Sequence, residues 1–317
     1  MTAPTRGGYR TTTVPVRDGD LTIGVWGADD APTVLALHGI TASHRAFALL
    51  GEIATDLRII APDLRGRGRS NSLPGPWGMP THAHDAAAVL DAFGVGRCAV
   101  IGHSMGAFVA ATLAMRHPSH VGELVLVDGG LPIPLPEGVT VDDLPGALIG
   151  PAAERLVMRF TSYDAYRDFW RVHPAFAADW NTTVEQYADY DLDGIPPDLT
   201  PSSVSEAVAQ DSHQLSGDVG YADALAALRI PVQFIRAPRG LLNELPGLYS
   251  AETVAEWDAR MPNLTTHEVA NVNHYTIVMT ERGVNGVLPV LRNAVARVAE
   301  LDGSRTTVSA RSGEGIA

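Results

Sequence analysis

Four short apolar runs restrict the possible folds of this chain more than any other feature: VLALH from Val34, RIIAP from Arg58, CAVIG from Cys98 and LVLVD from Leu124. Runs of four or five apolar residues bounded by turn-forming residues read as strands covered on both faces. Longer segments with helical patterning separate them, and strands alternating with helices imply βαβ units and a mostly parallel sheet. Between the second and third runs, Ala86, Ala87, Val89, Leu90 and Phe93 recur at helical spacing, and Gly94 supplies the stop. Ahead of them, residues near 11–17 and 20–26 read as two strands joined at Asp18-Gly19, a dipeptide suited to a tight hairpin.

The alternation breaks after Gly129-Gly130, where Pro132, Pro134 and Pro136 open a stretch of roughly ninety residues without clear strands. It resumes with a helix near 221–228, a strand near 231–236, a helix near 250–260, a strand near 264–269 and a final helix near 284–300. The organisation expected is a core of residues 1–130 and 222–302, an inserted helical cap over 131–221 and a disordered tail over 303–317. Nine of the chain's 20 aromatic residues fall between 160 and 190. Some are expected to form the cap's own core and others, with Trp170 and Trp180 as candidates, to line a substrate cleft beneath it.

Composition narrows the function classes. A chain of 317 residues, 45% hydrophobic and 19% charged, can bury a full core without disulfide or metal staples. A formal net charge of -13 opposes binding to phosphate backbones or anionic lipid, so neither nucleic acid nor membrane is an expected partner. The single cysteine, Cys98, sits in an apolar run and can form no intramolecular disulfide. The N-terminus lacks the pattern of a signal peptide, and no apolar run is long enough to span a bilayer; a soluble, cytoplasmic protein is expected.

The sharpest chemical signal is Gly102-His103-Ser104-Met105-Gly106, lying between an apolar strand and an Ala-rich helix. A serine held at a strained strand-to-helix turn needs small residues on both sides so that its hydroxyl stands clear of the sheet. Such a hydroxyl becomes an effective nucleophile when a hydrogen-bonded imidazole takes its proton. Of the eleven histidines, His274 alone sits just past the final strand and before the final helix. Without a chemical role, Ser104 would mark a tight turn and His274 a capping or packing position.

Four features together resemble the α/β-hydrolase family: His38-Gly39-Ile40 at the end of the first parallel strand, DLRGRGRS at 63–70, the GHSMG elbow, and Asn273-His274-Tyr275 after the last strand. The resemblance covers roughly residues 10–130 and 220–300. It implies an α/β-hydrolase fold with about eight strands, Ser104 as nucleophile, His274 as general base, and the backbone amides of Met105 and Ile40 as the oxyanion hole. The acid of the triad departs from the commoner family pattern, because the loop after PVQFIR holds no aspartate; Glu244 is its only carboxylate. Certain haloalkane dehalogenases and zearalenone lactone hydrolases place the acid at the end of the strand after the elbow helix, here Asp128. Asp128 is the first candidate and Glu244 the alternative. A serine at 104 argues against relatives that use aspartate there, such as epoxide hydrolases.

Other patterns carry less. Thr81-His82-Ala83-His84-Asp85 lacks the spacing of a metal site, because Asp85 follows His84 directly with no histidine after it and His82 and His84, two apart, point away from each other on a helix; no metal or cofactor is expected. DLRGRGRS lacks the spacing of a phosphate loop and reads as a structural turn. His103 reads as a packing residue, and His44, shortly after the HG pair, as a pocket-lining candidate. The expected reaction is hydrolysis of a carboxylic ester or lactone with a small apolar or aromatic substrate. Cleavage of a carbon-carbon bond or amide, acyl transfer, and a ligand-binding receptor on the same fold are the alternatives.

Overall fold

The structure is a computed structural model that describes residues 8–133, 154–217 and 219–312, with side chains as far as residue 301. Strands β1 (Arg10–Val16) and β2 (Gly19–Trp26) form the expected hairpin, with Asp18 at φ 68° and Val16 opposite Gly19. Then follow β3 (Thr33–Leu37), α1 (Ala48–Ile53), β4 (Arg58–Pro62), α2 (Met79–Ala92), β5 (Cys98–His103), α3 (Met105–Arg116) and β6 (Val121–Val127). After an insert come α7 (Tyr221–Ala226), β9 (Val232–Arg236), α8 (Ala251–Arg260), β10 (Leu264–Glu268), α9 (Thr276–Met279) and α10 (Glu281–Ser312).

The strands make one eight-stranded sheet in the order β1-β2-β4-β3-β5-β6-β9-β10. Only the β1–β2 and β2–β4 pairings are antiparallel. The sequence runs are apolar throughout because both faces of the sheet are covered, and successive side chains are dealt to opposite cores. Leu35, Val100 and Leu126 join the core beneath α2 and α3, whereas Val34, Ile101 and Val127 join the one beneath α1 and α10. This is the α/β-hydrolase fold.

The insert, described over 154–217, contains α4 (Tyr163–Arg171), α5 (Thr182–Tyr190), the antiparallel ribbon β7 (Leu192–Ile195) and β8 (Asp198–Pro201), and α6 (Ser205–Ser212). The ribbon departs from the all-helical expectation: Asp193, Gly194, Pro196 and Pro197 give it no apolar alternation that a strand reading could use. A buried Arg155 ties the insert together, pairing with the Asp191 carboxylate and the Tyr166 hydroxyl and reaching the Thr41 carbonyl of the core at 3.5 Å. The final helix runs on to Ser312, into the segment expected to be a tail. Residues 304–312 hold neither glycine nor proline, so nothing in them stops a helix already nucleated. The part of the expected tail from 313 to 317 and the expected cap residues 134–153 lie outside the described residues.

Candidate active site

The C-terminal edge of the parallel strands gathers the chemistry. Ser104 follows β5 at φ 54° and ψ -124°, a backbone region that costs a non-glycine residue about 1 to 3 kcal/mol. Its glycine neighbours permit the turn: a Cβ on Gly102 would lie 2.3 Å from the Gly106 carbonyl oxygen, and one on Gly106 would lie 1.9 Å from that of Leu37. The elbow thus presses α3 against β3, and Met105, the first residue of α3, has an amide without an intrahelical acceptor.

Asp128 directly follows β6 with its side chain fully buried. One carboxylate oxygen accepts the Ala237 amide at 3.1 Å, and the other lies 2.7 Å from His274 Nδ1. That contact makes Nδ1 the protonated nitrogen and leaves Nε2 as the acceptor. His274 and Ser104 line the same cleft, although no hydrogen bond joins them among the described contacts. The alternative acid Glu244 is exposed and folds back on its own loop, accepting the Leu242 amide at 2.7 Å. It makes no contact with His274 comparable to that of Asp128.

Two further histidines brace the site without facing outward. His38 Nε2 accepts the Leu64 amide at 2.9 Å, so its Nδ1 carries the proton and donates to the Gly39 carbonyl at 2.8 Å. The Gly39 carbonyl shares a peptide plane with the Ile40 amide, and holding one orients the other. His103 Nε2 donates to the His274 carbonyl at 2.7 Å, tying the residue beside Ser104 to the loop that carries His274. Burial pushes both imidazoles down to about 3, so they are neutral near pH 7.

The cleft, about 590 Å³ counted to its open mouth, has Ile40 and Thr41 beside Ser104 and His274. Tyr187 and Leu215 of the insert, Leu241 and Leu248 of the loop after β9, and Tyr275 complete much of its wall. No described lining residue is Asp, Glu, Lys or Arg. Burial raises the phenol pKa of Tyr187 and of Tyr275, so both remain hydroxyl donors.

Three expected lining residues stand elsewhere. His44 is fully buried, with Nδ1 2.8 Å from an Asp63 carboxylate oxygen and Nε2 2.8 Å from the Tyr9 hydroxyl; packing against Gly24 holds it away from the cleft. Trp170 lies within the aromatic core of the insert, 6.3 Å from Tyr275, which is the ring that reaches the cleft. Trp180 lies under Arg171 and borders a separate surface depression. Local aromatic density marked the segment but not which rings face in. Tyr187 is one of the nine rings of that segment and was not singled out among them, whereas Leu215, Leu241 and Leu248 escaped sequence reasoning, and no periodicity or motif distinguishes them.

The sequence profile of the α/β-hydrolase fold family matches residues 32–184, a little under half of the chain. The chain's similarity extends to the lipase LipV of Mycobacterium tuberculosis, 38% identical over 34% of this chain. The match spans only 41% of that lipase. A 2-(acetamidomethylene)succinate hydrolase of Mesorhizobium japonicum is 26% identical over 81% of this chain and 86% of its own length. Among solved structures, the thioesterase domain from the curacin biosynthetic pathway superposes with a TM-score of 0.71 at 19% identity, over 89% of this chain and 99% of that domain. Among the described residues, no helix is long and apolar enough to cross a membrane.

Proposed function

We propose that the protein is a serine hydrolase that cleaves a small, uncharged, predominantly apolar carboxylic ester or lactone through an acyl-enzyme. The carrying observation is the 2.7 Å contact of buried Asp128 with His274 Nδ1, on the wall that also bears Ser104 in its strained elbow. The names of the lipase and thioesterase relatives agree with acyl transfer to water. Cytoplasmic location remains part of the proposal, as does the role of the insert as a cap that supplies Tyr187 and Leu215.

In this mechanism the substrate carbonyl enters beside Ile40 and Met105, whose amides receive the developing oxyanion. His274 Nε2 takes the Ser104 proton as Oγ bonds to the carbonyl carbon, and the Asp128 carboxylate stabilises the imidazolium through Nδ1–H. The carbon–oxygen bond to the leaving group then breaks, and His274 returns the proton to the departing alkoxide. Water repeats the sequence on the acyl-enzyme, with His274 again taking a proton, and releases the acid and free Ser104. Substrate entry brings the serine and imidazole into bonding reach, as catalytic hydrogen bonds often tighten only in the complex.

The absence of fixed charge from the described wall favours neutral acyl groups, since a buried carboxylate without a partner would cost several kcal/mol. A panel of nitrophenyl esters with acyl chains of increasing polarity tests this reading. Hydrolysis should peak with neutral short or aromatic acyl groups and should vanish in Ser104→Ala, with rapid fluorophosphonate labelling of the wild type alone. Preference for charged acyl groups would overturn the substrate class, and full activity in Ser104→Ala would overturn the mechanism.

A further inference from the structure

The loop after β4, DLRGRGRS, reads from sequence as a turn, yet it places a fully buried guanidinium behind the cleft. Arg67 Nε donates to the Ile40 carbonyl at 2.9 Å, Nη1 donates to the Arg65 carbonyl at 3.0 Å, and Nη2 lies 3.9 Å from the Met105 sulfur. Its counter-charge is Asp211 of α6, 2.5 Å from Nη1. Asp211 is held in turn by the Gly78 amide at 2.6 Å and by His82 Nε2 at 2.9 Å.

We propose that Arg67 is a positioning residue for the oxyanion hole, one buried side chain that holds the Ile40 backbone and packs against the Met105 side chain. The inference rests on the roles given to the amides of those two residues under Proposed function. Ile40 is pinned on both sides: His38 sets the peptide plane before it and Arg67 the carbonyl after it. With the Arg67 bond gone, His38 alone holds this segment, and a shift of the Ile40 backbone as a whole can carry its amide off the oxyanion by more than the roughly 0.5 Å that such sites tolerate. A buried charge is costly to keep, and an apolar side chain would fill the same space at lower cost. What the apolar side chain cannot do is hold a carbonyl. Because Asp211 belongs to the insert, the same bond network makes the hole depend on how α6 sits against the core.

Two double variants isolate the bond. In Arg67→Gln the amide nitrogen occupies the position of Nε and can still donate to Ile40, whereas Arg67→Met has similar length and no donor. Combining each with Asp211→Asn removes the unpaired buried carboxylate that would otherwise threaten folding. The Gln double variant should keep kcat within about threefold of wild type, and the Met double variant should lose about tenfold or more in kcat at unchanged KM. Affinity for a trifluoromethyl ketone, which adds Ser104 to form an oxyanion, should fall by the same factor. Equal kcat in the two variants, or a loss confined to KM, would overturn the inference. Should neither variant fold, the wild type still decides: the Arg67 Nε–H resonance should shift when the ketone adds, and an unmoved resonance would overturn it. Ser104→Ala, assayed in parallel, separates the outcomes, because an inactive alanine variant beside indistinguishable Gln and Met variants rejects this inference alone.

Discussion

At the residue scale, the pairing of Asp128 with His274 distinguishes two carboxylates that motif reading left open. Asp128 holds one ring nitrogen protonated, so its neutral amide in Asp128→Asn would favour the wrong tautomer and leave no charge to stabilise an imidazolium. A loss of about 10³- to 10⁴-fold in kcat on a nitrophenyl ester is expected, with KM little changed. Glu244→Gln should stay within about twofold, since Glu244 is exposed and bonded to its own loop. A steady-state assay of the two variants checks both expectations, and similar losses in both would remove the basis for choosing Asp128. Ser104 and His274 were legible because each sits at a chain position with a recognisable local signature, a glycine-flanked strand end and the segment after the last strand. His44 misled because proximity to the HG pair says nothing about which way a ring turns; here a buried Asp63 and the Tyr9 hydroxyl claim both of its nitrogens.

At the scale of elements, the elbow joins β5 to α3 and clamps α3 onto β3. Gly106→Ala would drive a methyl group into the Leu37 carbonyl, which belongs to a central strand and has little room to retreat. Destabilisation of about 3 kcal/mol or more is expected, read as a lower urea midpoint at unchanged slope. Helix α5 poses a different question, because Tyr187 lines the cleft while Tyr190, one turn on, donates to Asp63 at 2.7 Å. Tyr190→Phe removes that anchor, and KM for an apolar ester should rise severalfold with kcat retained; an unchanged KM would show that the rest of the insert suffices to place α5. The strands and helices of the core were readable from periodicity because sheet and helix burial impose it. The ribbon β7–β8 was not, since its residues Asp193, Gly194 and Pro197 point to a turn and its one pairing beyond itself is the single bridge of Leu199 with Phe160, too short to leave a pattern.

At the scale of the molecule, the two neutral imidazoles behind the site couple stability to acidity. His38 and His103 bind protons only near pH 3 when folded, against 6.5 for the free side chain, so between those values the unfolded chain holds more protons. Stability is therefore complete above about pH 6.5 and is lost progressively as pH falls toward 3. Urea midpoints measured from pH 4 to 7 should rise with pH, and in His103→Asn the slope should shrink by about one proton; an unchanged slope would place the titration elsewhere. The domain plan was partly legible for a related reason. An α/β core announces its layers through apolar runs, but how an insert seats on that core is fixed by long-range partners such as Arg155 with Asp191 and Arg67 with Asp211, which no local window contains.

Cys98 opens the central strand β5 with its thiol buried and pushed up to about 12. In the native state it presents almost no thiolate to an alkylating reagent at neutral pH. Maleimide incorporation should therefore proceed at the rate at which the middle of the sheet opens, which gives the chain an internal clock for its own unfolding that requires no engineered label.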